Sequence, residues 1–346
     1  MNNYGVLAID LAKTVFQVCK TDHLGNVIYN KAVNRKRLKE ILILEKKSLV
    51  AMESCGGTHY WARFAKAQGH EVKALPARLV KSFLQGQKTD ANDAIAISVA
   101  ALQPNIKSSR LITAEDQSLN CMDGARAALV SAKRAQANQI RAYLLEFGIP
   151  IAKSDKVLKV EIPTILGDAE NDLTLNFRFT LNLLWQHFLC IDTALTELEK
   201  EYNKIINNDE ECKKLQKLEG VGPVGALGLK VFLGQTDHFN NGRQASACLG
   251  ATPVQHSSGG KVFIGGISKT SSNKRLRAIL FQGAFAAVCA AEKREARTQK
   301  DFWIKDLLSR RCRKVVVIAL VNKTIRTAYA ILKNKTDYQF VSIINN

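Results

Sequence analysis

At 346 residues the chain is long enough for two or three domains, and at 46% hydrophobic and 23% charged it has an ordinary globular composition. Its formal charge of +19 predicts attraction to a polyanion, DNA or RNA above all. No run of 18 apolar residues predicts a transmembrane helix, and eight scattered cysteines without a CxxC pair speak against a disulfide framework or zinc site.

The excess charge is uneven. From His256 to Asn346 there are 18 Lys and Arg against 5 Asp and Glu, a net +13. A solvated basic surface is the plain alternative to a nucleic-acid face. A membrane-surface patch lacks the amphipathic anchor it needs. The chain starts on a strand with no signal peptide, so a reducing cytoplasm is expected.

Residues 1 to about 115 alternate strands with helices. Short β-type runs at Gly5–Asp10, Thr14–Lys20 and Val27–Val33 are punctuated by the turn Asp22-His23-Leu24-Gly25-Asn26. A helix is predicted over Arg35–Leu44, a buried strand over Ser48–Glu53, and a helix over Thr58–Gln68 ended by Gly69. A strand over Glu71–Leu75 and a helix over Asp90–Leu102 complete the order βββαβαβα. That is the order of the ribonuclease-H-like fold.

Four acids fall on these elements. Asp10 and Glu53 each end an apolar strand. Asp90 and Asp93 lie three apart at a helix start. Carboxylates gathered this way repel, so they need a cation, and hard oxygen ligands suit Mg²⁺ or Mn²⁺. Beside a basic surface, that chemistry points to phosphodiesters. Three of the acids have a structural alternative: Asp10 can cap a turn, Asp90 a helix, and Asp93 can support a first turn. Lys13 and Lys88 lie nearby as candidate phosphate contacts.

Residues 116 to about 210 read as a helical hairpin or coiled coil. Asp116–Glu146 carries Arg126, Lys133, Arg134 and Arg141 near helical spacing, with Arg126 and Arg134 as candidate contacts to a nucleic-acid backbone, and Gly148-Ile149-Pro150 breaks it. Leu175–Ile206 carries the stripe Leu181, Leu184, Phe188, Ile191, Leu195, Leu198 and Tyr202, which serves either internal packing or self-association.

Residues 211–346 form a mainly helical third part. Leu218 to Leu227 resembles a helix-hairpin-helix turn, whose glycines free N–H groups for phosphates. A glycine-rich turn between packed helices competes with that reading. Further helices are predicted over Lys274–Ala291 and Lys314–Lys333. Between them and the turn lies Gly250-Ala251-Thr252-Pro253-Val254-Gln255-His256-Ser257-Ser258-Gly259-Gly260-Lys261. Lys261, Lys269, Arg275 and Arg277 are candidate phosphate contacts. A serine here can attack phosphorus if its proton is removed. On composition alone, a polar β-turn with incidental serines is the simpler reading.

Five motifs, in order along nearly the whole chain, change that balance: Ala8-Ile9-Asp10-Leu11-Ala12-Lys13, Met52-Glu53-Ser54-Cys55-Gly56, Lys88-Thr89-Asp90-Ala91-Asn92-Asp93-Ala94, Gly220-Val221-Gly222-Pro223, and Leu249 to Pro253 running on to Ser257-Ser258-Gly259-Gly260-Lys261. Together they resemble the DEDD-type insertion-sequence transposases, the family of the pilin-gene invertases and bridge-RNA-guided recombinases. The resemblance implies three parts. Residues 1–115 would be a RuvC-like, ribonuclease-H-like catalytic domain, 116–210 a coiled-coil linker, and 211–346 a transposase domain with a nucleophilic serine. It implies metal binding by Asp10, Glu53, Asp90 and Asp93, and attack by Ser257, with Ser258 as the fallback. It further implies a covalent protein–DNA intermediate, donor and target DNA as substrates, a structured guide RNA, and a homo-oligomer, a dimer assembling to a tetramer on DNA. A cytoplasmic, nucleoid-associated protein follows. Two rivals stand beside it: a metal-dependent nuclease or junction resolvase using water, and an inactive nucleic-acid-binding remnant. One departure is visible. After Ile267-Ser268-Lys269 the family usually has a glycine-containing turn, whereas Thr270-Ser271-Ser272-Asn273 stands here, with Asn273 expected to supply a left-handed residue.

Overall fold

The structure, a computed structural model, describes residues 5–234 and 236–339. It divides into two compact units, residues 1–117 and 118–346.

The first unit is built on one five-stranded sheet. Strand β1 (Val6–Asp10) pairs antiparallel with β2 (Val15–Thr21), and β2 with β3 (Val27–Asn34). The turn between β2 and β3 is held by Asp22, whose Oδ1 accepts from Leu24 and Asn26 N–H, each at 2.8 Å. Asn34 caps α1 (Arg35–Leu44) by accepting from Arg37 N–H. That helix returns the chain to β4 (Leu49–Glu53), parallel to β1. Helix α2 (Thr58–Ala67) leads to β5 (Glu71–Leu75), parallel to β4. The strand order is β3-β2-β1-β4-β5. A short α3 (Ala77–Val80), followed by one 3₁₀ turn, adds to the elements expected from the sequence. Helix α4 (Asp90–Leu102) completes the expected order for this region.

Side chains of the central strands alternate between two cores. Leu7, Ile9, Val50 and Met52 face one way and pack with Leu38, Leu42 and Trp61 of α1 and α2. Val6, Ala8 and Ala51 face the other way and pack with Ala94, Ile97 and Ala101 of α4. Burial on both faces explains why β1 and β4 read as continuous apolar runs. Ile97 is fully buried between α4 and the sheet, so Ile97→Ala would cost about 2–5 kcal/mol.

The second unit is helical apart from one hairpin. Helices α5 (Ala114–Glu146), α6 (Asp155–Gly167) and α7 (Leu175–Asn207) share a core of Ile140, Leu144, Leu158, Ile162, Leu181 and Phe188. Gly148, at φ 76°, ends α5, with Ile149 N–H returning to Leu144 C=O. The α7 stripe is buried at Leu181, Phe188, Ile191, Leu195 and Tyr202 within the same chain. The stripe packs internally and is not a self-association seam. The cations of α5 are partly neutralised from neighbouring helices: Lys133 pairs with Asp192 at 2.6 Å and Asp155 at 3.2 Å.

The rest of the unit surrounds a larger core. Helices α8 (Glu210–Gln216) and α9 (Pro223–Leu233) flank the glycine-rich turn. Helix α10 (Gly242–Cys248), strands β6 (Pro253–Ser258) and β7 (Lys261–Ile267), and helices α11 (Lys274–Lys293), α12 (Gln299–Arg310) and α13 (Arg313–Asn334) follow. Gly220, at φ +75°, lies backbone to backbone on Gly283 of α11, and a Cβ on either would overlap the other. So Gly220 is there for packing; Gly222, by contrast, has open space beside it. Helix α13 is long and apolar enough to cross a membrane, although its cations break the unbroken apolar run that the sequence reading required. Half of that stretch is buried, with Val317, Leu320, Val321 and Ile325 in the unit's core.

Candidate metal centre

The alternation that splits the first unit's core also aims its acids. Asp10 continues the face of Val6 and Ala8, and Glu53 the face of Leu49 and Ala51, so both lie on the side of the sheet that carries α4. In α4, Asp90 and Asp93 precede Ala94 and Ile97 by four residues, which places them above the buried face. Thr89, rather than Asp90, caps the helix, accepting from Asn92 N–H at 3.2 Å.

Carboxylate oxygens of Asp10, Asp90 and Asp93 lie within 4.8 Å of one another. Glu53 stands outside that group. It is the next residue on the strand paired in register with β1, Ile9 lying opposite Met52. Its charge still reaches the cluster. Burial first, then Asp93, Asp90 and Glu53, push the Asp10 carboxyl up to about 6, against a partial offset from Lys88. Burial and Asp93 raise Glu53 as well. Lys88 Nζ sits 3.4 Å from Asp93 Oδ2 but is largely exposed, so it neutralises little. Three converging oxygen donors with an unfavourable mutual field fit a hard divalent cation, Mg²⁺ or Mn²⁺. Asp10, Asp90 and Asp93 would hold it, with Glu53 beside them.

Two residues that the sequence reading passed over support the cluster. Gln17 lies opposite Asp10 on β2 and donates to Asn30 Oδ1 at 2.7 Å. Asn30 in turn donates to Ala91 C=O at 2.9 Å, tying β3 to the first turn of α4. Thr58 similarly fixes the turn after Glu53, donating to Glu53 C=O at 3.0 Å and accepting from Cys55 N–H at 2.8 Å. A polar residue facing inward on a strand was the signal available for Gln17 and Asn30.

In the second unit, Ser257 and Ser258 lie on a β-hairpin rather than a simple turn. Gly259 and Gly260, at φ 54° and 76°, form its two-residue loop, as a type I′ turn requires. Ser257 pairs with Val262, and Ser258 with Lys261. The two hydroxyls therefore face opposite sides. Ser257 shares its side with Gln255, whose Nε2 donates to Ser257 Oγ at 3.0 Å. Ser258 shares its side with His256 and Phe263. Both serines are exposed.

The candidate phosphate contacts differ in availability. Lys13, Arg134, Lys261 and Lys269 are exposed. Arg126 pairs with Glu199 at 2.7 Å, and Arg275 with Asp123 at 2.6 Å. Arg277 donates to Ser268 C=O at 2.7 Å and Gly250 C=O at 3.1 Å, which ties the base of the hairpin. Asn273 is not left-handed. It caps α11, at φ −143°, by accepting from Leu276 N–H, while Ser271 and Ser272 donate to Leu249 and Cys248 C=O. These hydroxyl bonds secure the turn without a glycine.

Comparison with known proteins covers both units. A family model described as transposase IS116/IS110/IS902 family matches residues 212–300, and a DEDD transposase model of the IS110 type matches residues 7–149. A probable family 20 transposase of Pseudomonas aeruginosa is 34% identical over 339 residues, 97% of this chain and 99% of that protein. The transposase for insertion sequence element IS1111A of Coxiella burnetii is 33% identical, covering 98% and 92%. The transposase for IS1328 of Yersinia enterocolitica is 32% identical, covering 97% and 99%. With likeness running the full length of both partners and the two family models falling in chain order, this chain belongs to the IS110 family of DEDD-type insertion-sequence transposases.

Proposed function

We propose that the protein cuts and rejoins DNA as the recombinase of its insertion sequence, with the acids of the first unit and Ser257 of the second serving one reaction. The observation that carries this reading is the convergence of Asp10, Asp90 and Asp93 on one point in a strongly basic chain. The strand order β3-β2-β1-β4-β5, with acids at the ends of β1 and β4, supports a RuvC-like, ribonuclease-H-like first domain. The reading keeps a division of labour into residues 1–115, 116–210 and 211–346.

A divalent cation held by these carboxylates supplies charge neutralisation and polarisation at a phosphoryl oxygen. The chain's own groups do the rest. Ser257 Oγ forms a bond to phosphorus, one P–O ester bond breaks, and the released strand end carries a hydroxyl. The serine proton needs an acceptor. Gln255 donates to Ser257 Oγ, and its amide is no base, so it does not take the proton. We assign that role to a carboxylate of the first unit of another protomer, which makes the enzyme an oligomer. Exposed Lys261 and Lys269 contact phosphates beside the hairpin, and Lys13, Lys88 and Arg134 hold the backbone elsewhere. A structured RNA choosing donor and target DNA is part of the reading; the family resemblance and the charge of +19 support it. Action on DNA in the cytoplasm, at the nucleoid, follows from the same reading.

A second reading, hydrolysis by water, is favoured by the exposure of Ser257 and its single bond from Gln255. Replacing Ser257 with Ala separates the two. Serine attack predicts loss of both strand exchange and the covalent adduct, whereas cleavage that survives the substitution supports water. Sequencing RNA that copurifies with the protein tests the guide, and recovery of no discrete species would remove it from the account.

A further inference from the structure

A cleft of about 1070 Å³ opens in the second unit beside α10, α12, α13 and the start of β6. Its lining includes Arg243, Lys323, Arg326, Asn322, Thr327 and the ring of Trp303, and among the described residues no Asp or Glu. Lys323 Nζ lies over the Trp303 ring, 4.5 Å from its centroid, and covers that face until the ammonium moves onto a phosphate. All three cations are exposed, and none forms an ion pair among the described residues. Burial, then Lys300, push the Lys323 ammonium below its ordinary value; Glu219 offsets this in part and Arg326 adds to it. Cations that repel one another in a cleft without acids make a place for anions.

The walls are fixed in place. Gly242 lies directly on the Arg326 backbone, where a Cβ would come 3.1 Å from Arg326 Cα. Asn322 Nδ2 donates to Ser246 Oγ at 2.8 Å and to Ala251 C=O at 3.2 Å, holding α13 against α10 and the approach to β6. A second cavity of about 400 Å³ shares Trp303, Lys323 and Thr327, so the indole borders two openings; the one acid in that second lining, Glu219, is paired with Lys300. The combined demand is for a ligand with negative charge and a flat face. A small carboxylate uses no ring, and a duplex hides its base faces in the stack. An unpaired nucleotide within a single strand meets both demands.

We propose that this cleft is a single-strand subsite, in which Trp303 stacks one unpaired base while Lys323, Arg326 and Arg243 hold the flanking phosphates. It deepens, and rests on, the reading of the protein as a nucleic-acid recombinase. The strand can be RNA or DNA, since both present the same face and charge.

The test uses the full-length protein in EDTA, where no metal-dependent cleavage runs, with ten-nucleotide oligo(dT) and oligo(U). Trp61 and Trp185 are buried, at 2% and 6% exposure, so tryptophan quenching by a stacked base reports Trp303. Saturable quenching is expected, and it is lost in Trp303→Phe, which keeps the ring's packing. Lys323→Ala combined with Arg326→Ala, both on exposed residues, should weaken binding about tenfold. The double substitution should also flatten the salt dependence, by roughly 0.7 in log–log slope for each phosphate that the protein no longer neutralises. Tighter binding of one oligomer identifies RNA or DNA as the occupant. Absence of quenching at saturation, unchanged affinity in the double variant, or equal quenching by a duplex overturns the proposal. The readout needs neither metal nor catalysis, so a failure here leaves the recombinase reading standing, and a catalytic failure leaves this one standing.

Discussion

Asp10 is the side chain on which the proposed chemistry turns. Its carboxyl is half buried and surrounded by three others, and its upward shift to about 6 makes a prediction with a definite sign. Between the ordinary value of 3.8 and about 6, the folded protein binds more protons at Asp10 than the unfolded chain does. That contribution therefore favours folding as pH falls through this window, and is lost as pH rises past about 6. In EDTA at pH 7, Asp10→Asn should melt higher than the parent, and the difference should vanish as pH approaches 4. With Mg²⁺ the order reverses. At a hundredfold excess over the dissociation constant the parent gains about 2.7 kcal/mol, and the variant little or none. Thermal melts across pH, with and without Mg²⁺, check both halves. A parent indifferent to Mg²⁺ would remove the metal from the account. Gly283 makes a simpler case. Its backbone touches Gly220, so Gly283→Ala should lower stability by about 1–3 kcal/mol or more, read by denaturant titration.

At the scale of elements, the question is what presents the acids. The Gln17–Asn30–Ala91 chain of hydrogen bonds anchors the start of α4 to the far strands of the sheet. Asn30→Ala should leave the fold intact yet weaken Mg²⁺ binding, about tenfold or more, because the helix carrying Asp90 and Asp93 loses its fixed position. Isothermal titration measures this, and unchanged affinity would leave Asn30 a purely structural residue. The strands and helices of the first unit were readable in the sequence because their side chains are buried on definite faces. The position of Asp10 and Glu53 at the ends of two continuous apolar runs, together with the spacing of Asp90 and Asp93 at a helix start, was enough to suggest that the four acids meet. The β6–β7 hairpin was not readable as such. Val262, Phe263 and Ile264 on it are all exposed, at 61%, 67% and 66%, so no buried face imposes an alternating pattern. Short helices such as α10, which lie between longer neighbours, left too few turns for a period to emerge. Gly220 looked like a phosphate-binding glycine because its partner, Gly283, is 63 positions away in sequence and no local signal links them.

For the molecule as a whole, charge decides partners. Several cations are spent internally, Arg126, Lys133 and Arg275 among them, yet a net +19 remains for nucleic acid. Binding to DNA or RNA should therefore weaken steeply with salt, with a log–log slope of about −4 or steeper, as counterions are released. Filter binding between low and moderate salt measures it, and a slope near zero would contradict an electrostatic grip. The central claim is narrower: carboxylates from the front of the chain and a hydroxyl from its rear act in one bond exchange. The direct measurement incubates the protein and its copurified RNA with end-labelled DNA spanning the element's junction in Mg²⁺, then resolves covalent protein–DNA adducts on a denaturing gel. The account predicts an adduct for the parent, and none for Ser257→Ala or Asp10→Asn. Cleaved DNA without any adduct, or an adduct that persists in either variant, would contradict it.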